Sequence, residues 1–259
     1  MGSSTVQGQL WGAAAQDWAD LQEPLHLPVW EAMLNAAQVG PGTRLFDAGC
    51  GAGGTSILAA QRGAHVSGLD ASEALITIAR ERIPQGDFRV GDLEALPYGE
   101  RAFDAVIAAL SVQYAADPIA ALRELKRVCA PNGCLVISTW GLPEQCEQRL
   151  ILKAVRDSMP SPPTGGGPFA LSAAGALESL VEQAGWKVTR SSEVDCPFEY
   201  PNLETHWQAQ RSAGPLQAAL RTVSEEQLRA AVEQAVASRR TSTGGVRLEN
   251  RFRYVTATV

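Results

Sequence analysis

The chain has no surplus of basic residues, no apolar run of membrane-spanning length and no paired cysteines, and each absence removes a class of protein. Lys and Arg number 22 against 28 Asp and Glu, a formal net charge of −6, whereas a phosphate-reading surface needs clustered cations. No nucleic-acid partner is expected. Nor is a membrane partner: a span needs about 20 consecutive apolar residues, the first ten residues are polar, and Val6 breaks the acylation pattern that Met1-Gly2 would begin. A cytoplasmic protein is the expectation. The five cysteines, Cys50, Cys129, Cys134, Cys146 and Cys196, are odd in number and form no Cys-x-x-Cys pair. That fits reduced thiols, not a disulfide scaffold or a zinc site, so no metal is expected.

What is present is a core-forming composition and one glycine-rich turn. At 259 residues and 45% hydrophobic content the chain supports one α/β domain with insertions over residues 1–259. Arg44 to Gly54 reads as a short buried strand that breaks into a loop. Leu45, Phe46 and Ala48 suit a strand covered on both faces, and Gly49, Gly51, Gly53 and Gly54 permit positive φ and close approach of a ligand. Thr55 to Arg62 follows as a helix, whose N-terminus presents unpaired N–H groups. Two ligands compete for such a turn. Gly49, Gly51 and Gly54 satisfy dinucleotide spacing, while Asp47, Gly49, Gly51 and Gly53 satisfy that of S-adenosylmethionine enzymes. In both cases an acid at the end of the next strand holds ribose hydroxyls, and Asp70 stands about 20 residues on, where that rule places it. Cys50 lies inside the loop and reads as a small space-filler beside the ligand, not a nucleophile.

Around this turn the remaining elements fall into order. Residues 9–38 carry Trp11, Trp18, Leu21, Leu25, Val29, Trp30, Met33 and Leu34 at mostly helical spacing, divided by Pro24 and Pro28 into two helices. Trp11 and Trp18 share a helical face, either packing on the domain or closing over the ligand as a lid. His65–Asp70 reads as the second strand, Ser72–Arg82 as a helix with Ser72 as its cap, and Asp87–Val90 as the third strand. Gly91-Asp92-Leu93 can hold an adenine, since the Asp92 carboxylate accepts from the exocyclic amine and Leu93 covers the ring. Phe103–Ala109 is the fourth strand, Pro118–Cys129 a helix, and Pro131-Asn132-Gly133 a turn into the strand Cys134–Thr139.

Taken together, Asp47-Ala-Gly-Cys-Gly-Ala-Gly53, the terminal Asp70, Gly91-Asp92-Leu93 with Leu96-Pro97, Phe103-Asp104-Ala105-Val106, and Pro131-Asn132-Gly133 with Leu135-Val136-Ile137 resemble the class I S-adenosylmethionine-dependent methyltransferases. Within that family the likeness is to the small-molecule branch that includes ubiquinone-biosynthesis-type and natural-product enzymes, and it covers roughly residues 9–140. The resemblance implies an α/β Rossmann-like, doubly wound seven-stranded sheet with an antiparallel last strand. Trp186–Phe198 and Arg247–Val259 would supply strands six and seven. It also implies a helical N-terminal cap over 1–40, a cofactor-binding core over 41–140, and substrate-side insertions at 141–170 and 199–246. S-adenosylmethionine would be the cofactor, with Asp47 and Gly49 at the methionine amino end, Asp70 on the ribose, and Asp92 with Leu93 on the adenine. Trp11, Trp18, Ala48, Cys50, Gly51, Gly53, Ala71, Ala109 and Leu110 would complete its contacts. The chain departs from the family in carrying Gln113-Tyr114 where a His pair or His-Trp is frequent, and it has neither an Asp/Asn-Pro-Pro-Tyr motif nor an acid pair after strand four.

The substrate side is less determined. Ser161–Pro168 is poor in side chains and reads as a gate or a surface loop. Phe169, Tyr200 and Trp207 border the insertions and are candidate walls for a flat organic acceptor. His206 and His26, with Glu23 behind them, are the candidate bases and Gln113 the candidate orienting group, while His65 begins a buried strand and reads as structural. Methyl transfer to a small metabolite is the first reading. An NAD-linked oxidoreductase lacks its Tyr-x-x-x-Lys here, and a non-methylating cofactor-binding or rearrangement protein would share the same cofactor site. The protein is expected to act as a monomer or a homodimer.

Overall fold

The computed structural model describes residues 3–162 and 167–259. Its sheet begins with five parallel strands, β1 (Arg44–Ala48), β2 (His65–Asp70), β3 (Asp87–Val90), β4 (Phe103–Ala109) and β5 (Cys129–Trp140). After β6 (Lys187–Asp195) comes a two-stranded ribbon of β7 (Phe198–Tyr200) and β8 (Val246–Leu248), then β9 (Arg251–Thr258). The seven sheet strands lie in the order β3-β2-β1-β4-β5-β9-β6, and β9, last in the chain, runs antiparallel to both neighbours. This is the doubly wound α/β sheet that the sequence led us to expect.

Alternation along the central strands divides the core into two layers. Leu45, Ala105, Ile107 and Val136 face Met33, Leu34 and Ala59, whereas Phe46, Val106, Leu135 and Ile137 face Leu122, Leu125 and Trp186. The first layer belongs to α3 (Leu27–Ala36) and α4 (Gly54–Gln61), and α5 (Glu73–Arg82) flanks β2 and β3. The second belongs to α6 (Pro118–Val128) and α8 (Ala176–Gln183). Local sequence fixes where helices start. Ser72 accepts from the Leu75 N–H at 3.3 Å, and Asp117, before Pro118, accepts from Ile119 and Ala120 at 3.0 and 2.9 Å. Winding reverses between β1 and β4, so their C-terminal ends open a crevice.

Two segments roof that crevice. At the N-terminus α1 (Ser4–Gly12) and α2 (Ala15–Asp17) lead into a π-type turn, Trp18–Gln22, and a 3-10 turn, Glu23–His26. From the insertion between β6 and β9 come α9 (Leu203–Ser212), α10 (Gly214–Ala219) and α11 (Glu225–Ala235), with α7 (Gln148–Ser158), from the earlier insertion, packed on α10 and α11. Close approach seats α1: a Cβ on Gly8 would lie 2.2 Å from the Ala71 carbonyl oxygen, and one on Gly214 would lie 2.7 Å from the Trp11 ring.

Four boundaries differ from the sequence reading. The N-terminal segment is not two helices divided only by prolines, because it also breaks at Ala13–Ala14. The expected sixth strand ends at Asp195 instead of Phe198, since Pro197 has no N–H to continue the ladder, and Phe198–Tyr200 pairs with β8. The expected last strand is likewise interrupted. At Glu249 and Asn250 the backbone turns to serve α7, where the Asn250 Oδ1 accepts from the Gln148 N–H at 3.0 Å and Glu147 and Glu249 exchange bonds of 2.8 and 2.9 Å. Pro131-Asn132-Gly133 is an excursion within β5, whose register against β4 jumps from Phe103↔Cys129 to Ala105↔Cys134. Of the Ser161–Pro168 stretch read as a gate, residues 163–166 lie outside the described residues.

The start of α4 has no spare room, for a Cβ on Gly54 would lie 2.3 Å from the Trp30 ring, which belongs to the first core layer. Gly54→Ala is therefore expected to cost about 1–3 kcal/mol of unfolding free energy, read as a lower urea midpoint at an unchanged slope. An unchanged midpoint would mean that the indole can withdraw freely.

Candidate functional site

The glycine loop after β1 sets the floor of the crevice. Gly49, Gly51 and Gly53 take φ of +76°, +55° and +91°, conformations that side chains with a Cβ rarely adopt. At Gly49 a Cβ would also lie 2.3 Å from that of Ser111. The N–H groups of the loop are already engaged from below and behind. Gly49 and Cys50 donate to the Leu69 carbonyl at 2.7 and 3.0 Å, Gly51 donates to Asp70 Oδ2 at 3.0 Å, and Ala52 donates to Glu23 Oε1 at 2.8 Å. A turn that reads a pyrophosphate leaves such donors free; here two carboxylates hold two of them.

The charge of the lining agrees. Glu23, Asp70 and Asp92 border the cleft, and no Lys or Arg is among its described lining residues. Burial pushes the Glu23 carboxyl up to about 7 in spite of the Ala52 N–H and the Arg82 guanidinium 3.0 Å away. Burial likewise raises Asp70 against the pull of the Ser72 and Gly51 N–H groups. Each Asp70 oxygen accepts one backbone N–H, from Gly51 or from Ser72 at 2.9 Å, which leaves lone pairs for a diol. Such a lining suits a cationic ligand with a ribose and rejects a diphosphate.

Beyond the loop the cleft turns apolar and aromatic. Trp11 and Trp18 meet edge-to-face with ring centroids 4.8 Å apart, and Tyr114 stands 5.5 Å from Trp11. His26 sits in a box of Trp18, Trp30, Phe198 and Phe252, at 5.9, 6.0, 5.0 and 5.8 Å. Its Nδ1 lies 3.2 Å from the Glu23 carbonyl, which can only accept, so Nδ1 carries the hydrogen and Nε2 the lone pair. Burial holds its pKa down at about 4. Trp140, Gln22, Gln148 and Gln210 complete that end. Leu110, at the exit of β4, holds a φ of +57°, a strained conformation that faces the crevice.

Of the residues singled out in the sequence, Trp11, Trp18, Gly49, Cys50, Gly51, Asp70, Ala71, Asp92, Leu93, Ala109, Leu110 and His26 border one cleft. Burial and the neighbouring carboxylates push the Cys50 thiol well up, consistent with a space-filler. Asp47, Ala48 and Gly53 stand behind the loop. Asp47 is 1% exposed, accepts from Ser56 Oγ at 2.7 Å and is raised by burial to about 7, so its carboxyl braces α4 and is not among the described lining residues of the cleft. Ala48 turns its carbonyl to the Ser111 hydroxyl, 2.6 Å away, and a Cβ on Gly53 would face Ala79.

The substrate-side expectations need more correction. His206 is fully buried, edge-on to Tyr200 at 4.8 Å, with both ring nitrogens unpartnered and a pKa lowered by burial to about 4. Trp207 is 2% exposed, its indole N–H 3.3 Å from Glu225 Oε1 on α11. Neither borders the cleft. Both lie on the side of α9 that packs into the roof, a face that helical spacing alone does not reveal. Gln113 is buried in the 3-10 turn Val112–Tyr114, where successive side chains diverge by a third of a turn, so that Ser111 and Tyr114 border the cleft instead. Phe169 reaches the cleft only through Trp140, 5.6 Å away, and Tyr200 only through its hydroxyl's partners Gln22 and Gln210. The glutamines escaped sequence reasoning because they lie on three separate elements. Glutamine is a common surface residue, and nothing short of the fold brings these together.

Comparison with known proteins places this cleft in context. Residues 46–137 match the family described as "Methyltransferase domain". A malonyl-[acyl-carrier protein] O-methyltransferase of Serratia marcescens is 37% identical over 120 residues, 46% of this chain and 47% of that one. An uncharacterized protein of Mycobacterium tuberculosis is 34% identical over 131 residues, 49% and 48%. The chain therefore spans about half the length of the curated relatives it matches. Among solved structures the [4+2]-cyclase SpnF superposes with a TM-score of 0.59 at 20% identity, over 89% of this chain and 80% of that one, a likeness of fold.

The buried His206 generates a pH-dependent prediction. Its folded pKa near 4 lies below the ordinary 6.5, so the unfolded chain binds more protons between those values and the residue's contribution to stability is lost as pH falls through that window. His206→Phe is expected to gain about 1–3 kcal/mol relative to the parent between neutral pH and pH near 4. Paired thermal melts across the range check this, and a pH-independent difference would contradict the burial argument.

Proposed function

We propose that this protein, whose residues 46–137 match the family described as "Methyltransferase domain", is a class I S-adenosylmethionine-dependent methyltransferase that transfers a methyl group to a small organic molecule. The observation that carries the reading is the state of the glycine loop. Its Gly51 and Ala52 N–H groups are held by Asp70 and Glu23, and the cleft around it carries carboxylates without a cation among the described residues. That environment favours a sulfonium and an ammonium and opposes the diphosphate of a nicotinamide dinucleotide.

In this reading Asp70 accepts the ribose hydroxyls, Asp92 and Leu93 hold the adenine, and the Gly49–Gly51 backbone lies against the methionine end. The cofactor supplies an electrophilic methyl carbon on a sulfonium sulfur. The protein contributes alignment and a dry compartment: Trp11, Trp18 and Tyr114 cover one side, and Trp30 and Trp140 wall the acceptor side. His26, neutral at physiological pH with its Nε2 lone pair available, takes the acceptor proton where there is one to remove. Among the described residues no helix is long and apolar enough to cross a membrane. The proposal is of one domain working on a small molecule in the cytoplasm, as monomer or homodimer, without nucleic acid.

Mass spectrometry of reactions with S-adenosylmethionine and candidate metabolites tests the activity, with equal amounts of S-adenosylhomocysteine and methylated product as the positive result. Conversion of an acceptor without cofactor consumption would instead assign a cyclase-type role. Two variants test the roles of residues. Asp70→Ala is expected to weaken S-adenosylhomocysteine binding by roughly tenfold or more in calorimetry. His26→Ala is expected to lower kcat by roughly a hundredfold with cofactor affinity nearly unchanged. Because the folded His26 pKa is about 4, the ratio of the parent's rate to that of His26→Ala should hold steady as pH falls from neutral and drop only toward 4, while Glu23, raised to about 7, titrates alike in both. A ratio that collapses near 6.5 would point to a different base.

A further inference from the structure

The acceptor end of the cleft carries an array of side chains whose hydrogen bonds can be counted to completion. Tyr200 donates its hydroxyl to Gln22 Oε1 at 2.9 Å and accepts from Gln210 Nε2 at 2.9 Å. Gln210 Nε2 also reaches Gln148 Oε1 at 3.3 Å, and Gln148 Nε2 donates to Gln210 Oε1 at 2.6 Å. The four residues are between 1% and 6% exposed. Both N–H groups of Gln210 are engaged. Gln148 retains one, and Gln22, its carbonyl fixed by Tyr200, retains two with no partner among the described residues. Gln22 and Gln148 both border the cleft, so what the array leaves over is donors facing the ligand.

Resting on the methyl-transfer reading, we infer that the acceptor is an uncharged, flat molecule that presents a carbonyl-type oxygen to the free N–H groups of Gln22 and Gln148, and that a free carboxylate is excluded. Entry of a ligand strips water from these cleft-lining donors, and a donor then left without an acceptor is costly, which favours a ligand that supplies one. A carboxylate would fit the same donors by shape. It would, however, enter a compartment with no Lys or Arg among its described lining residues, the nearby Arg82 guanidinium being taken up by Glu23, and a buried anion without a partner is disfavoured. Trp30 and Trp140 supply flat walls at this end. Tyr200 acts as a positioning residue, since its hydroxyl selects which way round the Gln22 amide stands.

The test uses the full chain saturated with S-adenosylhomocysteine and two probes of one frame, naphthamide and naphthoate, with affinities from saturation-transfer NMR titration. The parent is expected to prefer the amide by about tenfold or more. Gln22→Met and Gln148→Met, which keep the side-chain volume, should each reduce that preference to below about threefold. Tyr200→Phe should reduce the ratio without equal loss of both probes, as a purely structural role would produce. A cooperative thermal melt, at a midpoint lowered by the lost buried bonds, and S-adenosylhomocysteine affinity matching the parent establish that each variant is folded with its cofactor side intact. Equal binding of the two probes, tighter binding of naphthoate, or binding of neither while S-adenosylhomocysteine binds would overturn the inference. Failure of S-adenosylhomocysteine itself to bind would instead overturn the methyl-transfer reading.

Discussion

The structure depends on two carboxylates engaging two backbone N–H groups, Asp70 on Gly51 and Glu23 on Ala52. A glycine loop ahead of a helix is in general a place for anions, because its donors point outward and the helix dipole adds positive potential. Here the chain fills that place with its own carboxyl oxygens. Asp70 comes from the floor, at the end of β2, and Glu23 from the roof, in the N-terminal turn. The same pair that stabilises the loop thereby sets the sign of the ligand, and the rest of the lining follows suit.

The N-terminal segment that brings Glu23 to the loop is irregular, breaking at Ala13–Ala14 and passing through π-type and 3-10 turns, and from it Trp18, Gln22, Glu23 and His26 all border the cleft. Arg82 holds the outcome together. Its guanidinium reaches Glu23 at 3.0 Å, the Ala52 carbonyl at 3.2 Å and the Ala19 carbonyl at 2.9 Å, bridging α5, the loop and the roof.

How much was legible in the sequence follows from whether the signal was local. The glycine spacing, the acid at the end of β2 and the Gly91-Asp92-Leu93 step are local, and each lies where its backbone geometry requires. Strand order and the antiparallel last strand came through resemblance, because periodicity identifies elements and not their neighbours. His26 and His206 illustrate the limit. Both are single imidazoles beside aromatic residues in helical or near-helical segments, and both are nearly excluded from water, yet one turns into the cleft and the other into the roof. Only the packing of α9 separates them. Asp47 illustrates another limit: its place in a ligand-binding motif is real, but its carboxyl serves Ser56 and the start of α4.

The Arg82 bridge has a consequence for motion. Because Arg82 ties the roof to the floor while Tyr200 holds Gln22 and Arg211 holds Asp17, the N-terminal segment cannot lift away residue by residue; it leaves as a unit once these ties let go together. Amide protons from Ala19 to His26 would therefore exchange with solvent at a common rate set by that shared set of bonds.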